Sequence, residues 1–194
     1  MFGGYYGVSA AEGCFRAGKC REAETDRRRK KEKCRETTRA GKIKAHYNFY
    51  GWQNADVLPK DPAYSAAGTP RDFYDILDRL WCRQTCAPRM QDEWSEDNKT
   101  LGQCSITAFL VQDIYGGTVY GILRPGGNYH CYNDVDGHVF DLTSEQFGEE
   151  AKSLVYEGNP VQERAVHFAK EEKRLRYENL KRAAREALGI KEDA

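Results

Sequence analysis

The sequence lacks the features that mark several large classes of protein. No apolar run comes near the roughly 18 residues that a membrane-spanning helix needs, and the start MFGGYYGVSAAEG has neither the charged nor the apolar part of a secretory signal. There is no phosphate-binding loop, dinucleotide fingerprint or compact metal-ligand motif, so we predict no cofactor and no metal. The seven cysteines form no framework spacing. Without an export signal, they predict reduced thiols in a cytoplasmic protein that does not bind membranes.

An excess of one charge is also missing, because 30 Lys and Arg balance 30 Asp and Glu. The balance is uneven along the chain. From Arg16 to Lys44 there are 13 basic against 5 acidic residues, with no apolar stripe that could dock on a core. This is typical of a solvated arm, a helix held by a partner subunit, or a disordered segment. A homo-oligomer formed through this arm is one hypothesis. The interspersed Glu residues argue against nucleic acid as a partner.

Two groups of cysteines raise the question of a metal site. Cys82 and Cys86 lie four residues apart near the end of a predicted helix, where local packing is a commoner role than metal binding. The N-terminal segment holds four residues of types that zinc accepts, namely Cys14, Cys20, Cys34 and His46. Their spacings of 6, 14 and 12 match no compact zinc motif, so a metal-binding N-terminus is a minor alternative.

Composition divides the chain into three zones: an N-terminal polar and basic arm with a linker over residues 1–69, a core over 70–148, and a C-terminal helix over 149–194 that packs on the core or extends from it. Within the first zone, the aromatic stretch HYNFYGW predicts an anchor against the body, and PKDPAYSAAGTP predicts a linker or surface loop.

Periodicity and turn residues predict the elements of the core. Thr69–Pro70 starts one helix, and a second, amphipathic helix begins at Gln103 or Cys104 and ends at Gly116–Gly117. Asp136–Gly137 is a strong signal for a two-residue hairpin turn. The predicted strands cover 118–124, 129–135 and 138–143, and the charged C-terminal helix runs from beyond residue 160 to about 189. The expected fold is therefore α+β, with the second helix packed on an antiparallel sheet.

Cys104 is the candidate nucleophile because it stands at the start of a helix. The helix dipole and the free N–H groups of the first turn lower the pKa of a thiol there and can receive an oxyanion. Gly102 permits close approach of the chain at this point. The alternative is that Cys104 is a small buried core residue, which is the commoner role of such a cysteine.

The hairpin supplies possible partners. If Asp136–Gly137 forms a two-residue loop, His130 and Asp141 share one face, about 7–8 Å apart between backbones, so the carboxylate could orient the imidazole. A change of one residue in the loop length would reverse this assignment. Two structural alternatives stay open: His130 as a hydrogen-bonded strand residue, and Asp141 as a cap of the segment that follows.

Several blocks resemble the YunG family of largely uncharacterised bacterial proteins. They are GQCSITAFLVQDIYGG, then HCYND, then FDLTSEQF, and before them LWCRQTCAPRMQDEWSEDN, so that the resemblance runs from about Phe73 to Phe147. Where the family usually has HYWN, this chain has HCYN, which keeps His130 and Asn133. The first 69 residues lie outside the resemblance.

The resemblance implies a small papain-like core, similar to papain-like and NlpC/P60-like cysteine hydrolases. It implies Cys104 as nucleophile, His130 as base and Asp141 as orienting acid, with Gln103 and Asn133 as oxyanion or substrate-binding residues. The function hypothesis is a cysteine-dependent hydrolase or acyl transferase that acts on an amide, ester or thioester of a small molecule or peptide. The alternative is a non-enzymatic binding module on the same fold.

Overall fold

A computed structural model of the chain describes residues 49–191. The basic arm and the Cys14, Cys20, Cys34 and His46 set lie outside the described residues, as does the proposed contact between copies. Within residues 49–191, the protein combines helices with one small antiparallel sheet, so the α+β prediction is confirmed. None of the described helices is both long enough and apolar enough to cross a bilayer.

The first helix, α1, covers Pro70–Leu80 and begins as its sequence predicts. The Thr69 hydroxyl accepts a hydrogen bond from the Asp72 amide, and the Asp72 carboxylate accepts one from the Thr69 amide at 2.8 Å. This reciprocal capping box satisfies two donors that the helix start leaves open. On the apolar side of α1, Phe73 and Leu77 are fully buried.

The second helix, α2, covers Cys104–Tyr115 and is the centre of the fold. Most of its own side chains are apolar or small and they point to all sides of the helix. A helix of that kind is stable only when other elements cover every side. It packs against the strands on one side and against the C-terminal helices on another. Asn133 ties it to the sheet, because its side-chain amide donates to the Ala108 carbonyl at 2.9 Å. The residues of α2 that are buried are Ser105, Ile106, Thr107, Ala108, Phe109, Leu110, Val111, Ile114 and Tyr115.

The sheet has the order β1-β2-β3, with strands Thr118–Leu123, Tyr129–Val135 and His138–Phe140. Asp136 and Gly137 both have positive φ, at 54° and 86°, as the predicted two-residue turn requires. The predicted register is confirmed as far as Phe140, where the third strand ends, since Val135 pairs with His138 and Asn133 with Phe140.

The prediction that the third strand continues to residue 143 is wrong. The strand ends at Phe140, and the Asp141 amide donates instead to the carbonyl of Tyr50 at 3.0 Å. The Asp141 carboxylate then accepts the Thr143 amide at 3.0 Å, which turns the chain into a short 3-10 segment over Ser144–Ser153. A side chain that bonds the backbone two residues ahead competes with the ladder of a strand.

The C-terminal region is not one continuous helix as predicted, but two. Helix α3 covers Arg164–Phe168 and helix α4 covers Glu171–Ala187, with a break between them. Asp113 of α2 holds both, because its carboxylate pairs with Arg164 at 2.6 Å and with Lys181 at 2.8 Å. These contacts dock the charged helices onto the side of α2 and enclose the region in front of its first turn.

Residues 49–67 also pack against this body. Phe49, Ala55, Tyr64 and Ala67 belong to its buried core, and residues Pro62–Ala67 form a 3-10 turn where the sequence predicts a linker or surface loop. The aromatic stretch before Trp52 therefore contributes Phe49 to the core. The ring of Phe49 packs against that of Tyr74, with 5.3 Å between the ring centroids.

Candidate active site

Cys104 is the first residue of α2 and lies at the wall of a cavity of about 660 Å³. Its side chain is half-buried, whereas the helix residues that follow it are buried. No side chain caps the N-terminus of α2, so the N–H groups of its first turn have no side-chain acceptor. The thiol thus combines access to a cavity with the positive end of a helix dipole.

The loop before Cys104 is fixed by close packing. Gly102 has a φ of +69°, and a Cβ at that position would lie 2.7 Å from the Cys86 sulfur and 2.9 Å from the Ala87 nitrogen. Arg176 of α4 donates to the Gly102 carbonyl at 3.4 Å and to the Thr85 carbonyl at 3.0 Å. Only glycine fits both the backbone conformation and the space, and this positions the start of α2.

His130 and Asp141 form a buried pair beside this thiol. The His130 Nε2 lies 2.5 Å from the Asp141 Oδ2, and the two residues are 2% and 1% exposed. Three further bonds hold the carboxylate: the Thr143 amide and hydroxyl donate to Oδ1, each at 3.0 Å, and the Tyr156 hydroxyl donates to Oδ2 at 2.9 Å. A carboxylate with its acceptor positions filled in this way cannot rotate away from the imidazole.

The other ring nitrogen of His130 faces the cavity side. Nδ1 lies 3.4 Å from the side-chain amide nitrogen of Gln146, and the ring of Phe147 meets the imidazole edge-on at 4.7 Å between centroids. Cys104 and His130 line the same cavity, and each shifts the pKa of the other. The three residues predicted as a triad are therefore brought together, in the order Cys104, His130, Asp141.

The electrostatics of the site favour a thiolate and an imidazolium. Hydrogen bonds from Cys131 and from His130 hold the pKa of the Cys104 thiol well below its ordinary value, against the opposing effect of burial. Burial alone would lower the pKa of His130, but the charge of Asp141, the bond to it and the Cys104 sulfur raise that pKa to about 10. Each group stabilises the charged form of the other.

Cys131 of β2 is part of this arrangement. It is 1% exposed, and its hydrogen bond to Cys104 raises the pKa of its own thiol well above the ordinary value, as does its burial. Cys131 is therefore the neutral donor and Cys104 the charged acceptor of the pair. No local sequence pattern connects these two thiols, because their proximity depends on how α2 lies on β2.

Gln103 and Asn133 do not line the cavity. The Gln103 amide nitrogen donates to the Cys82 carbonyl at 3.0 Å, and the residue is fully buried, with its Oε1 lacking a hydrogen-bond partner. Asn133 is buried and bonded to the Ala108 carbonyl. In this structure both residues fasten α2 to its neighbours, one at the helix start and one a turn further along.

Four residues that the sequence analysis did not select complete the site. Tyr156 holds Asp141, Gln146 lies against His130, and His167 and Lys173 reach the cavity from the C-terminal helices. Only Gln146 had a local signal, since it lies in the FDLTSEQF block that carries the family resemblance. The other three come from segments whose docking no local pattern reveals.

Comparison with known proteins identifies the family of this chain. The family described as YunG protein matches residues 69–189, which is more than half of the chain. A curated relative, "Uncharacterized protein YunG" of Bacillus subtilis (strain 168), is 39% identical over 72 residues, which cover 37% of this chain and 57% of the relative. The chain thus spans a little over half the length of that relative. No solved structure matches. The extent of the family match shows that this chain is a member of the YunG family.

Proposed function

We propose that this protein is a cysteine-dependent hydrolase or acyl transferase, acting on an amide, ester or thioester. One observation carries the proposal: Cys104, whose pKa is lowered, borders the same cavity as His130, while the Asp141 carboxylate holds the imidazole at 2.5 Å. A nucleophile, a base and a group that orients the base, in that sequence of contacts, are the components of covalent acyl transfer.

In the proposed first step, the Cys104 thiolate attacks the carbonyl carbon of the substrate. The carbonyl oxygen takes the negative charge, and the first-turn N–H groups of α2, which no side chain caps, are placed to stabilise it. The carbon–heteroatom bond then breaks, the leaving group takes a proton from the His130 imidazolium, and an acyl thioester on Cys104 remains.

In the second step, neutral His130 removes a proton from water or from an acceptor nucleophile. That oxygen or nitrogen attacks the thioester carbonyl, and the Cys104 thiolate leaves as His130 holds the proton. The cycle returns the thiolate and imidazolium that it started from. Asp141 serves throughout by keeping the Nε2 proton and the ring orientation fixed, so that Nδ1 is the nitrogen that exchanges protons.

The proposal extends to the type of core and to the cellular location. A nucleophile at a central helix start, with its base and acid on neighbouring sheet segments, supports a papain-like arrangement of the core. The chemistry also needs a reduced thiol at Cys104, which fits the cytoplasmic location predicted from the cysteine pattern. We propose a small acyl compound or peptide as the substrate, because a cavity of about 660 Å³ falls in the size range of small-molecule sites.

The experiment is hydrolysis of simple acyl compounds by the full chain. p-Nitrophenyl acetate, an acetyl thioester and a p-nitroanilide are offered to the wild type and to Cys104→Ala and His130→Ala. Cys82→Ala is the matched control, since Cys82 is also half-buried but bonds to Thr85 and does not line the cavity. We expect turnover and an acyl adduct at Cys104 in the wild type and control only. Turnover that survives loss of Cys104 would refute the proposal, and absence of any adduct would favour the binding-module alternative.

A further inference from the structure

The cavity in front of Cys104 carries an excess of positive charge. Two glutamates, Glu93 and Glu172, lie on its wall. Against them stand five basic side chains, which we call the basic rim: Arg89, Arg124, Lys170, Lys173 and Arg176. The whole chain has no net charge, so the excess is a property of this surface. A cleft lined by one sign of charge concentrates ligands of the opposite sign.

Two members of the basic rim are already engaged by the protein. Arg176 pairs with Glu172 at 3.0 Å through Nε, and its Nη1 donates to the carbonyls of Thr85 and Gly102. Arg124 pairs with Glu150 at 2.5 Å and lies over the ring of Phe147 at 4.7 Å. These arginines shape the walls, and their charges are largely compensated.

Lys173 is different, because it is half-buried and none of the described carboxylates pairs with it. Within residues 49–191 no carboxylate lies within 4.0 Å of its Nζ, and the acceptor it contacts is the Nδ1 of His167, at 3.1 Å. The Nε2 of His167 in turn lies 3.0 Å from the Gln162 Oε1, so the ring bonds as a neutral imidazole with a proton on Nε2. Burial and the neighbouring Lys173 lower the pKa of His167 to about 4, which agrees with that state.

A half-buried ammonium group with a neutral partner is costly unless an anion completes its surroundings. Lys173 has three N–H donors, of which His167 takes one. Burial lowers the pKa of Lys173, and the sulfur atoms of Cys131 and Cys104 oppose this, so the ammonium group lies within electrostatic reach of the nucleophile. Lys170 stands on the same wall, exposed and likewise unpaired by any described carboxylate.

We propose that Lys173, supported by Lys170, forms an anion subsite, and that the acyl group transferred by Cys104 carries a carboxylate close to its carbonyl carbon. The proposal rests on the proposed function for its acyl chemistry. The binding of the anion itself does not depend on turnover. The subsite would favour acidic acyl compounds over neutral ones of the same size, and it would disfavour cationic ones, since like charges in a half-buried site repel.

The test compares two alkylating reagents of almost equal size on the full chain. Iodoacetate carries the carboxylate and iodoacetamide does not, and both report the same thiolate, so the ratio of their rates at Cys104 is independent of the pKa of the thiol. We expect this ratio to exceed that of free cysteine, and to fall about fivefold in Lys173→Met. Lys173→Arg should keep most of the preference. Lys152→Met is the matched control, because Lys152 is exposed and lies outside the cavity wall.

An unchanged ratio in Lys173→Met would overturn the proposal, as would an equal fall in the Lys152→Met control. A second measurement needs no variant: at constant ionic strength, acetate should slow the alkylation of Cys104 by iodoacetamide, and acetamide should not. Equal protection by both, or by neither, would also overturn it. Failure of the proposed function has a separate signature, namely that both reagents attack Cys104 at the rate of an ordinary thiol.

Discussion

Replacing Asp141 by Asn removes the charge that supports the His130 imidazolium and keeps the size of the side chain. In the wild type the carboxylate and the Cys104 sulfur raise the pKa of His130 to about 10, from about 6.5 for a free imidazole. That difference corresponds to a preference for the charged ring on the order of 5 kcal/mol. Without Asp141, burial opposes the charged ring, and the pair reverts to neutral thiol and neutral imidazole.

The consequence is measurable as a loss of thiolate at low pH. An ordinary thiol with a pKa of about 8.5 is only about 0.3% ionised at pH 6. A thiol that stays ionised at that pH has about 300 times more thiolate, and its lower basicity, at a Brønsted slope of about 0.4–0.5, offsets part of this gain in reactivity. We therefore expect the Asp141→Asn variant to react with iodoacetamide at Cys104 about fivefold more slowly than the wild type at pH 6.

The assay is alkylation at pH 6 and pH 8, with the site of attack identified by peptide mass spectrometry. Because Asp141 is buried and holds four hydrogen bonds, circular dichroism and thermal unfolding must show that the variant is folded. Tyr156→Phe removes just one of these bonds and should slow the reaction less. If folded Asp141→Asn reacts at pH 6 as fast as the wild type, the ion pair does not depend on the carboxylate and the reasoning is wrong.

Three further predictions test how the site is built. Cys131→Ala removes the neutral thiol that stabilises the Cys104 thiolate, so it should raise the pH at which Cys104 becomes reactive. Cys131→Ser keeps a hydrogen-bond donor and should raise that pH less. Equal alkylation profiles of the two variants would contradict this role of Cys131. Gly102→Ala should lower the free energy of unfolding by about 2 kcal/mol more than Gly127→Ala. Both glycines have positive φ, but only at Gly102 would an added Cβ meet other atoms. Chemical denaturation measures the difference, and equal losses of stability would contradict close packing at Gly102. Asn133→Ala should lower the free energy of unfolding by about 1–3 kcal/mol, because it removes a buried hydrogen bond that ties α2 to β2. Its alkylation profile should match the wild type, and a shifted profile would contradict a purely structural role.

The elements near the site could be predicted from the sequence because their signals are local. Asp136–Gly137 supplies the positive φ values that a two-residue turn needs. That turn sets the register of the second and third strands, which brings Asp141 near His130. The start of α2 at Cys104 and the cap at Thr69 are likewise set by neighbours in the chain. The predicted end of the third strand differs from the observed end by three residues. There the Asp141 side chain accepts the Thr143 amide, and this bond replaces the hydrogen-bond ladder of the strand.

The cavity could not be predicted, since distant contacts build it. Lys173 and His167 reach the nucleophile because Asp113, some 50 to 70 residues earlier in the chain, pairs with Arg164 and Lys181. No periodicity in a charged helix shows which of its lysines will face a cavity. Gln103 illustrates the same limit on a shorter scale, because its amide is taken by the carbonyl of Cys82, 21 residues before it.

In the proposed resting state, Cys104 is a thiolate paired with the His130 imidazolium near neutral pH. The most direct measurement is the rate of Cys104 alkylation by iodoacetamide across pH 5 to 11 in the full wild-type chain. We predict nearly the same rate at pH 6 and pH 8, with a change only near pH 10, where His130 loses its proton. A rate that climbs about 80-fold between pH 6 and pH 8, as that of an ordinary thiol does, would contradict the account.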